Sequence, residues 1–241
     1  MLGWPNHVDL ATFSGGIWRA DPFGLANIGL HEITKVAWSD DITTASTQFQ
    51  VDLAAARRVR VISEINHNAP EDALRRIKAG TTAGASDLYL GDWEDFHGIT
   101  YSEGGIEFGG WWGAGPTSPA SFVYGNPFIG VYVLPADVTA RYWSIEYDVT
   151  GSTLDHLQIG RLFMGPVYQP EFNAVYGLVE GMVDYSQIQK LPNGGIVIAE
   201  ARSGRTVQFE FPLTRAGAEE YRIREMLRMQ RTIGDILYVP Y

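Results

Sequence analysis

Apolar and polar residues alternate along five short segments of this chain. In residues 47–53, Phe49, Val51 and Leu53 lie on one face of an extended chain, and residues 59–65 repeat the pattern. Alternation with a period of two is typical of a β-strand with one buried face. Clusters of glycine and proline separate the segments, which favours short strands joined by turns in an antiparallel sandwich or barrel. The five segments are 47–53, 59–65, 142–149, 195–201 and 206–211.

Two other segments carry the signals of helix ends. Residues 70–80, PEDALRRIKAG, begin with proline and two acids and end with glycine, which predicts a short helix. Residues 214–234, TRAGAEEYRIREMLRMQRTIG, have acids near the start and arginines near the end, and these charges complement the helix dipole. We therefore expect a longer, partly buried surface helix near 215–231. Arg57 and Arg58 are predicted to lie in a turn between the first two strands.

The amino-acid composition excludes several classes of function. The formal net charge is −10, and nucleic-acid affinity comes mostly from Lys and Arg, so we expect no nucleic-acid partner. The absence of cysteine excludes disulfides, a thiol nucleophile and cysteine-ligated zinc. No run approaches the ~20 apolar residues of a membrane helix, so we expect no membrane insertion. The start MLGWPNHVDL lacks the pattern of a signal peptide, which favours a soluble protein made in the cytoplasm.

Catalytic motifs are missing from the sequence. It contains no G-x-S-x-G, P-loop, G-x-G-x-x-G or H-E-x-x-H pattern. The five histidines are scattered without the spacing of metal ligands. We therefore expect a protein that is not an enzyme and that needs no cofactor or metal.

One acidic segment, GDWEDFHG at 91–98, could still carry chemistry. Paired carboxylates can act as general acid and base, and Asp92, Glu94 and Asp95 are candidate calcium ligands because calcium prefers oxygen. The alternative, which we favour, is a solvated acidic loop with Trp93 and Phe96 turned inward.

Aromatic residues in loops are the candidates for ligand binding. Trp111 and Trp112 are adjacent in the glycine-rich segment GGWWGAGP, where they could stack on a sugar ring. They could equally divide between core and surface, or be covered by a partner subunit. Trp93, with Asn66 and Asn68 as amide hydrogen-bonding groups, completes the set of candidate carbohydrate-binding residues.

Residues 33–165 resemble a known family. The stretch ITKVAWSDDITTASTQFQVDLAAARRVRVISEINHNAPEDALRRI, followed later by ARYWSIEYDVTG and LQIGRLFMG, is similar to the galactose-binding-like (discoidin, F5/8 type C) jelly roll. The resemblance implies an all-β sandwich over 33–165. Members of this family include sugar binders, lipid binders and purely structural modules, so the fold alone leaves the function open.

The remainder of the chain resembles a narrower group. A jelly roll followed by IGRLFMGPVYQPEFNAVYG, a strand pair, a helix and a terminal DILYVPY looks like tail or baseplate proteins of long-tailed bacteriophages and phage-like particles. This implies an N-terminal arm (1–32) packed on a C-terminal β unit (166–241) that carries the one helix. It also implies a structural virion protein, made in the host cytoplasm, that assembles as a homo-oligomer with other tail or baseplate proteins and that could contact host-surface glycans. A carbohydrate-binding, lectin-like module without a virion role is the alternative.

The exit from the jelly roll is unusually aromatic. Pro166 and Pro170 hold residues 164–177 extended, and four aromatic side chains lie along or beside this ribbon. They could pack between two β units, or form an exposed patch that marks an interface. These interface candidates are Phe163, Tyr168, Phe172 and Tyr176.

Overall fold

The fold was analysed in a computed structural model, which describes most of the chain. The described residues are 1–70, 72–97, 129–169, 179–184, 187–190, 196–199, 203–208, 218–230 and 234–238. Strands dominate these segments, with a short helix α1 (Thr44–Thr47), a longer helix α2 (Ala218–Gln230) and two 3-10 turns (His7–Leu10 and Leu25–Gly29). The predicted all-β class is confirmed, and so is the one longer helix near 215–231.

The strands of the described segments vary greatly in length. The longest are β4 and β8, and many of the others are two-residue pairings. In chain order they are β1 (Leu2–Gly3), β2 (Thr12–Ser14), β3 (Ala37–Trp38), β4 (Phe49–Ile65), β5 (Leu74–Gly80), β6 (Tyr89–Leu90), β7 (Glu94–Asp95), β8 (Ile129–Asp148), β9 (Gln158–Ile159), β10 (Arg161–Gly165), β11 (Val167–Tyr168), β12 (Val179–Asp184), β13 (Gln187–Lys190), β14 (Ile196–Ala199), β15 (Ser203–Gln208) and β16 (Leu237–Tyr238).

A seven-stranded antiparallel sheet is the largest sheet of the described residues. Its order is β10-β4-β8-β5-β6, with β2 also paired to β4 and β7 to β5. The inward-facing residues of β4 and β8 alternate as the sequence predicts, and Phe49, Trp143 and Ile145 are at most 1% exposed. Smaller pairings surround this sheet: β1 joins β11 to β16, and β3 pairs with β9.

The predicted turn at Arg57 and Arg58 is wrong. Both residues lie inside β4 and pair with Ala140 and Thr139 of β8. The irregularity that was expected there is a register shift between Asp52 and Arg57. Because β8 is even longer than β4, it continues the pairing beyond the shift, and the two predicted strands 47–53 and 59–65 are parts of one strand.

The predicted helix at 70–80 is also wrong, since residues 74–80 form β5. Arg75, Ile77 and Ala79 are buried while Arg76 and Lys78 are half-buried, which is the alternation of a strand. β5 lies between β8 and β6 and pairs with both. The two hydrogen-bonded neighbours outweigh the local preference for a helix, because sheet pairing and burial override weak propensities.

Two compact units divide the chain. The first contains Met1–Gln169 and Met226–Tyr241, and the second contains Pro170–Glu225. The first unit holds both terminal segments, since Leu2 and Gly3 of β1 pair with β11 and β16. The domain limits expected from the sequence, 1–32, 33–165 and 166–241, stay a prediction. Among the described residues, no helix is long and apolar enough to cross a membrane.

Candidate functional site

An aromatic surface with a charged rim lies in the first unit, and we call it the Trp38 surface. It consists of Arg19, Phe23, Trp38, Asp155 and His156. Four of these residues are half-buried and Asp155 is exposed. They come from three segments that are far apart in the sequence, so the surface depends on how the fold brings the segments together.

Backbone hydrogen bonds shape the loop that carries Arg19 and Phe23. The N–H of Arg19 donates to the carbonyl of Trp38 (2.9 Å), and the N–H of Trp38 donates to the carbonyl of Phe23 (3.0 Å). The buried amide of Asn27 donates to the carbonyls of Pro22 (2.7 Å) and Val36 (2.9 Å). These bonds use main-chain groups and the side chain of Asn27, so the loop is held independently of the side chains of Arg19 and Phe23.

The third segment is fixed by β9 and by an asparagine. Trp38 pairs with Gln158 in the β3–β9 ladder, and its indole N–H donates to Oε1 of Gln158 (3.0 Å). Nδ2 of Asn68 donates to the carbonyl of His156 (3.0 Å), and its Oδ1 accepts from the N–H of Gln158 (2.7 Å). Asn68 therefore positions the segment that carries His156.

The rings form a continuous stack. Phe23 and Trp38 are parallel, with centroids 3.7 Å apart and an interplanar angle of 2°. The imidazole of His156 also packs on Trp38, with ring centroids 4.4 Å apart and an interplanar angle of 35°. The guanidinium of Arg19 lies 5.3 Å from the centroid of the Trp38 ring. Among the described residues, no other ring packs against Phe23, which is half-buried.

The rim of this surface is charged. Asp155, whose side chain is 76% exposed, lies 3.7 Å from Nη2 of Arg19 and 2.6 Å from Nδ1 of His156. The contact with His156 is an ion pair only when the imidazole is protonated. The pKa of Asp155 is lowered mainly by the imidazole of His156 and to a smaller extent by the charge of Arg19. An ionised acceptor and a guanidinium donor thus stand beside the aromatic stack.

The structure places the sequence candidates in several locations. Asn66 and Asn68 lie close to the Trp38 surface, but their amides hold neighbouring backbone, with Nδ2 of Asn66 donating to the carbonyl of Ile33 (2.7 Å). Trp93 belongs to a different group, in which the guanidinium of Arg76 lies 4.5 Å from its ring centroid. Trp111 and Trp112 lie outside the described residues. The carbohydrate-binding role of each stays a prediction.

The acidic segment has an exposed edge and a buried ring. Phe96 is 1% exposed, and Trp93 is half-buried. Glu94 and Asp95 are neighbours in β7, and adjacent strand residues point to opposite faces. In the part of the chain that the structure describes, the converging acid and histidine side chains are Asp9, His31 and Asp235 instead. Calcium binding at Asp92, Glu94 and Asp95 stays a prediction.

The interface candidates that the structure describes differ in their burial. Phe163 is 1% exposed and packs with Val61 and Leu237, whereas Tyr168 in β11 is half-buried. Phe172 and Tyr176 lie outside the described residues. An interface role for this ribbon stays a prediction.

Sequence reasoning missed every residue of the Trp38 surface. Trp38 and its neighbours stand in AWSDD, inside the stretch that resembles the jelly-roll family. The available signal for a binding residue was a tryptophan, Trp38, that is followed directly by polar residues. Phe23 and His156 had no local signal, because Phe23 is brought to Trp38 by a backbone hydrogen bond and His156 by the pairing of β3 with β9.

Comparison with known proteins gives matches among solved structures only. No protein-family model and no curated protein matches the chain. A chitosan-binding module of a chitosanase/glucanase from Paenibacillus sp. IK-5 has 13% identity and a TM-score of 0.43, and the match covers 68% of this chain and 100% of that module. A family 32 carbohydrate-binding module from Clostridium perfringens, in complex with galactose, has 11% identity and a TM-score of 0.44, with 68% and 98% covered.

A fucolectin from striped bass (Morone saxatilis) serum has 10% identity and a TM-score of 0.43, with 74% of this chain and 55% of the fucolectin covered. These structures are named as carbohydrate-binding modules and a lectin. At such identities and TM-scores the similarity assigns neither a ligand nor a function to this chain.

Proposed function

We propose that this chain is a carbohydrate-binding protein, without catalytic activity of its own, and that the Trp38 surface holds a pyranose ring. The observation that carries the proposal is the parallel stack of Phe23 on Trp38, 3.7 Å apart, with a charged rim of Arg19 and Asp155 beside it. An aromatic face offers a large apolar contact, and the rim offers the few polar groups that orient a ligand.

Each part of the surface has a role in this proposal. The C–H face of the sugar packs on the outer face of Phe23, while Arg19 donates to hydroxyl oxygens and Asp155 accepts from hydroxyl groups. A hydrogen bond to a charged group is stronger than one between neutral groups. Because main-chain bonds fix the loop, little conformational entropy is lost on binding. We expect a shallow site of modest affinity, with a Kd of about 1 mM for a monosaccharide.

The test is an NMR titration of the full chain with galactose and with chitosan oligomers. Phe23→Ala removes the stacking face, but it retains the carbonyl that holds Trp38. We expect it to weaken binding about tenfold, since an apolar contact of this size contributes at least 1.4 kcal/mol. Arg19→Gln should weaken binding by a smaller factor. Tyr221→Ala, at an aromatic residue that is 67% exposed in α2, is the matched control.

Two outcomes would overturn the proposal. One is the absence of saturable shifts with either sugar. The other is binding that Phe23→Ala and Tyr221→Ala leave equally unchanged, which would place the sugar elsewhere, for example at Trp93 or at Trp111 and Trp112.

A structural role in a phage tail or baseplate, with several copies in the virion, is a second proposal. Large apolar side chains on the surface of the first unit favour it, since Leu10 is 75% exposed, Ile17 55% and Leu90 62%. Exposed apolar residues that form one contiguous patch mark protein interfaces, so this role requires that these side chains belong to such a patch. Mass photometry of the purified chain should then show oligomers, and mass spectrometry should find the chain in purified particles. A strictly monomeric chain that is absent from particles would refute this role.

A further inference from the structure

A cleft of about 310 Å³ lies in the first unit, and it shares no lining residue with the Trp38 surface. One end of the cleft is polar and the rest is apolar. Ligand sites in proteins combine mostly apolar walls with a few polar groups, and this volume is at the small end of their range. The lining residues are His31, Ile33, Ile65, Arg161, Phe163, Asp235, Ile236 and Leu237.

The polar end is built around Arg161, whose side chain is only 3% exposed. Its Nη1 donates to the carbonyl of Gly29, and its Nη2 donates to carboxylate oxygens of Asp9 and Asp235. Its Nε donates to Oδ2 of Asp235 (2.9 Å). These bonds engage all three nitrogens and four of the five N–H groups of the guanidinium, and they hold it in place as a fixed positive charge.

His31 and Asp235 remain as hydrogen-bonding groups. Nδ1 of His31 lies 3.5 Å from Oδ1 of Asp235, and the two side chains are 45% and 30% exposed. Burial favours a higher pKa for Asp235, but hydrogen bonds from Arg161 and Asn6 outweigh it, and the pKa is lowered. The contacts from Arg161 and Asn6 use Oδ2, so ionised Oδ1 is left to accept from a ligand.

The apolar wall is partly open to solvent. Phe163 and Leu237 form its base and are 1% and 8% exposed, whereas Ile33 and Ile236 stand at the rim and are 48% and 37% exposed. A ligand that covered the two rim isoleucines would remove apolar surface from water, which favours binding.

We propose that this cleft binds a small neutral amphiphile, a compact hydrocarbon ring or branched chain that carries one hydroxyl group. The hydrocarbon lies between Ile33, Phe163 and Ile236, and the hydroxyl donates to Oδ1 of Asp235 beside His31. The charges of Asp9, Asp235 and Arg161 favour a neutral head group over a charged one. An anion would face the carboxylates of Asp9 and Asp235, and an ammonium group or metal ion would have to approach the buried guanidinium that already joins them.

Three probes of one shape test the charge selection on the full chain. Cyclohexanol, cyclohexylammonium and cyclohexanecarboxylate share a ring and differ in head group. Saturation-transfer NMR should show cyclohexanol binding with a Kd of about 1–10 mM. The two charged probes should bind at least tenfold more weakly. Equal binding of all three, tighter binding of either ion, or no saturable binding of cyclohexanol would overturn the proposal.

A pair of rim variants tests the location. Ile33→Gln places an amide at the mouth of the cleft and should weaken cyclohexanol binding about tenfold. Leu30→Gln makes the same change at a side chain that is 41% exposed and does not line the cleft, and it should leave the Kd unchanged. Neither side chain takes part in the contacts of Arg161, so the polar end stays intact. Equal effects of the two variants would refute binding at this cleft.

Discussion

Two buried arginines organise the first unit in different ways. Arg75 and Arg161 have side chains that are only 2% and 3% exposed. The partner of Arg75 is Glu64, which is fully buried, with 2.5 Å between Nη1 and Oε2. The carboxylate partners of Arg161 are Asp9 and Asp235, which are 34% and 30% exposed. One arginine thus neutralises a charge inside the sheet, and the other joins charges at its margin.

Arg75 is surrounded by side chains of the core, whereas Arg161 contacts segments at the margin of the sheet. Arg75 lies in β5, between the rings of Phe96 (4.9 Å) and Tyr132 (5.0 Å), and Glu64 also accepts from the hydroxyl of Tyr147 (3.0 Å). Arg161 instead connects β10 to the carbonyl of Gly29 and to both terminal segments. The comparison indicates that loss of Arg75 damages the core, whereas loss of Arg161 releases the segments around it.

The largest effect is expected for Arg75→Met. The variant leaves the carboxylate of Glu64 buried without its charge partner, and removal of one member of a buried pair costs about 3–5 kcal/mol. Urea unfolding of the full chain, followed by tryptophan fluorescence, measures the loss in the free energy of unfolding.

Arg58→Met is the matched control for this variant. Its side chain is 58% exposed and 3.5 Å from Asp137, and exposed pairs contribute about 0–1 kcal/mol. Addition of Glu64→Leu to Arg75→Met should recover part of the lost stability, because it removes the unpaired charge. If Arg75→Met cost no more than Arg58→Met, the buried pair would not have the role assigned to it.

A smaller and more local effect is expected for Arg161→Met. Its carboxylate partners can turn to water, so we expect a loss of about 2 kcal/mol in the free energy of unfolding. Hydrogen exchange should become faster at Leu237 and Tyr238, which pair with β1, and should stay unchanged in the centre of β4. Arg141→Met, at an exposed pair with Asp52, should leave exchange at both places unchanged. Uniform acceleration across the sheet would contradict the local role.

The two arginines also show what the sequence could and could not predict. Alternation predicted the strands that hold Glu64 and Trp143, because the signal is local. It failed for β5, which holds Arg75, because the ends of this segment carry helix signals. The segment is a strand because it pairs with β8. Asp9, Gly29 and Asp235 meet at Arg161 from distant parts of the chain, and no local pattern encodes that meeting. The Trp38 surface was missed for the same reason.

The smallest effect is a pH dependence that originates beside Arg75. His67 is 2% exposed, and burial first, then the nearby charges of His97 and Arg75, lower its pKa from 6.5 to about 3. Its Nδ1 accepts from the N–H of Ala69 (3.2 Å). Because the unfolded chain takes up a proton near pH 6.5 and the folded protein does not, the contribution of His67 is complete above that pH. It is lost progressively as the pH falls from 6.5 towards 3.

A comparison with His67→Asn isolates this contribution. Asparagine retains an oxygen that can accept from Ala69 but takes up no proton. Between pH 7.5 and pH 5.5 the natural chain should lose about 1.4 kcal/mol more of its free energy of unfolding than the variant. Carboxylates with lowered pKa, such as Asp52 and Asp235, titrate in both proteins and cancel in the difference. Equal pH slopes for the two proteins would mean that His67 takes up its proton in the folded state as readily as in the unfolded chain, and that the interior beside Arg75 admits a second positive charge.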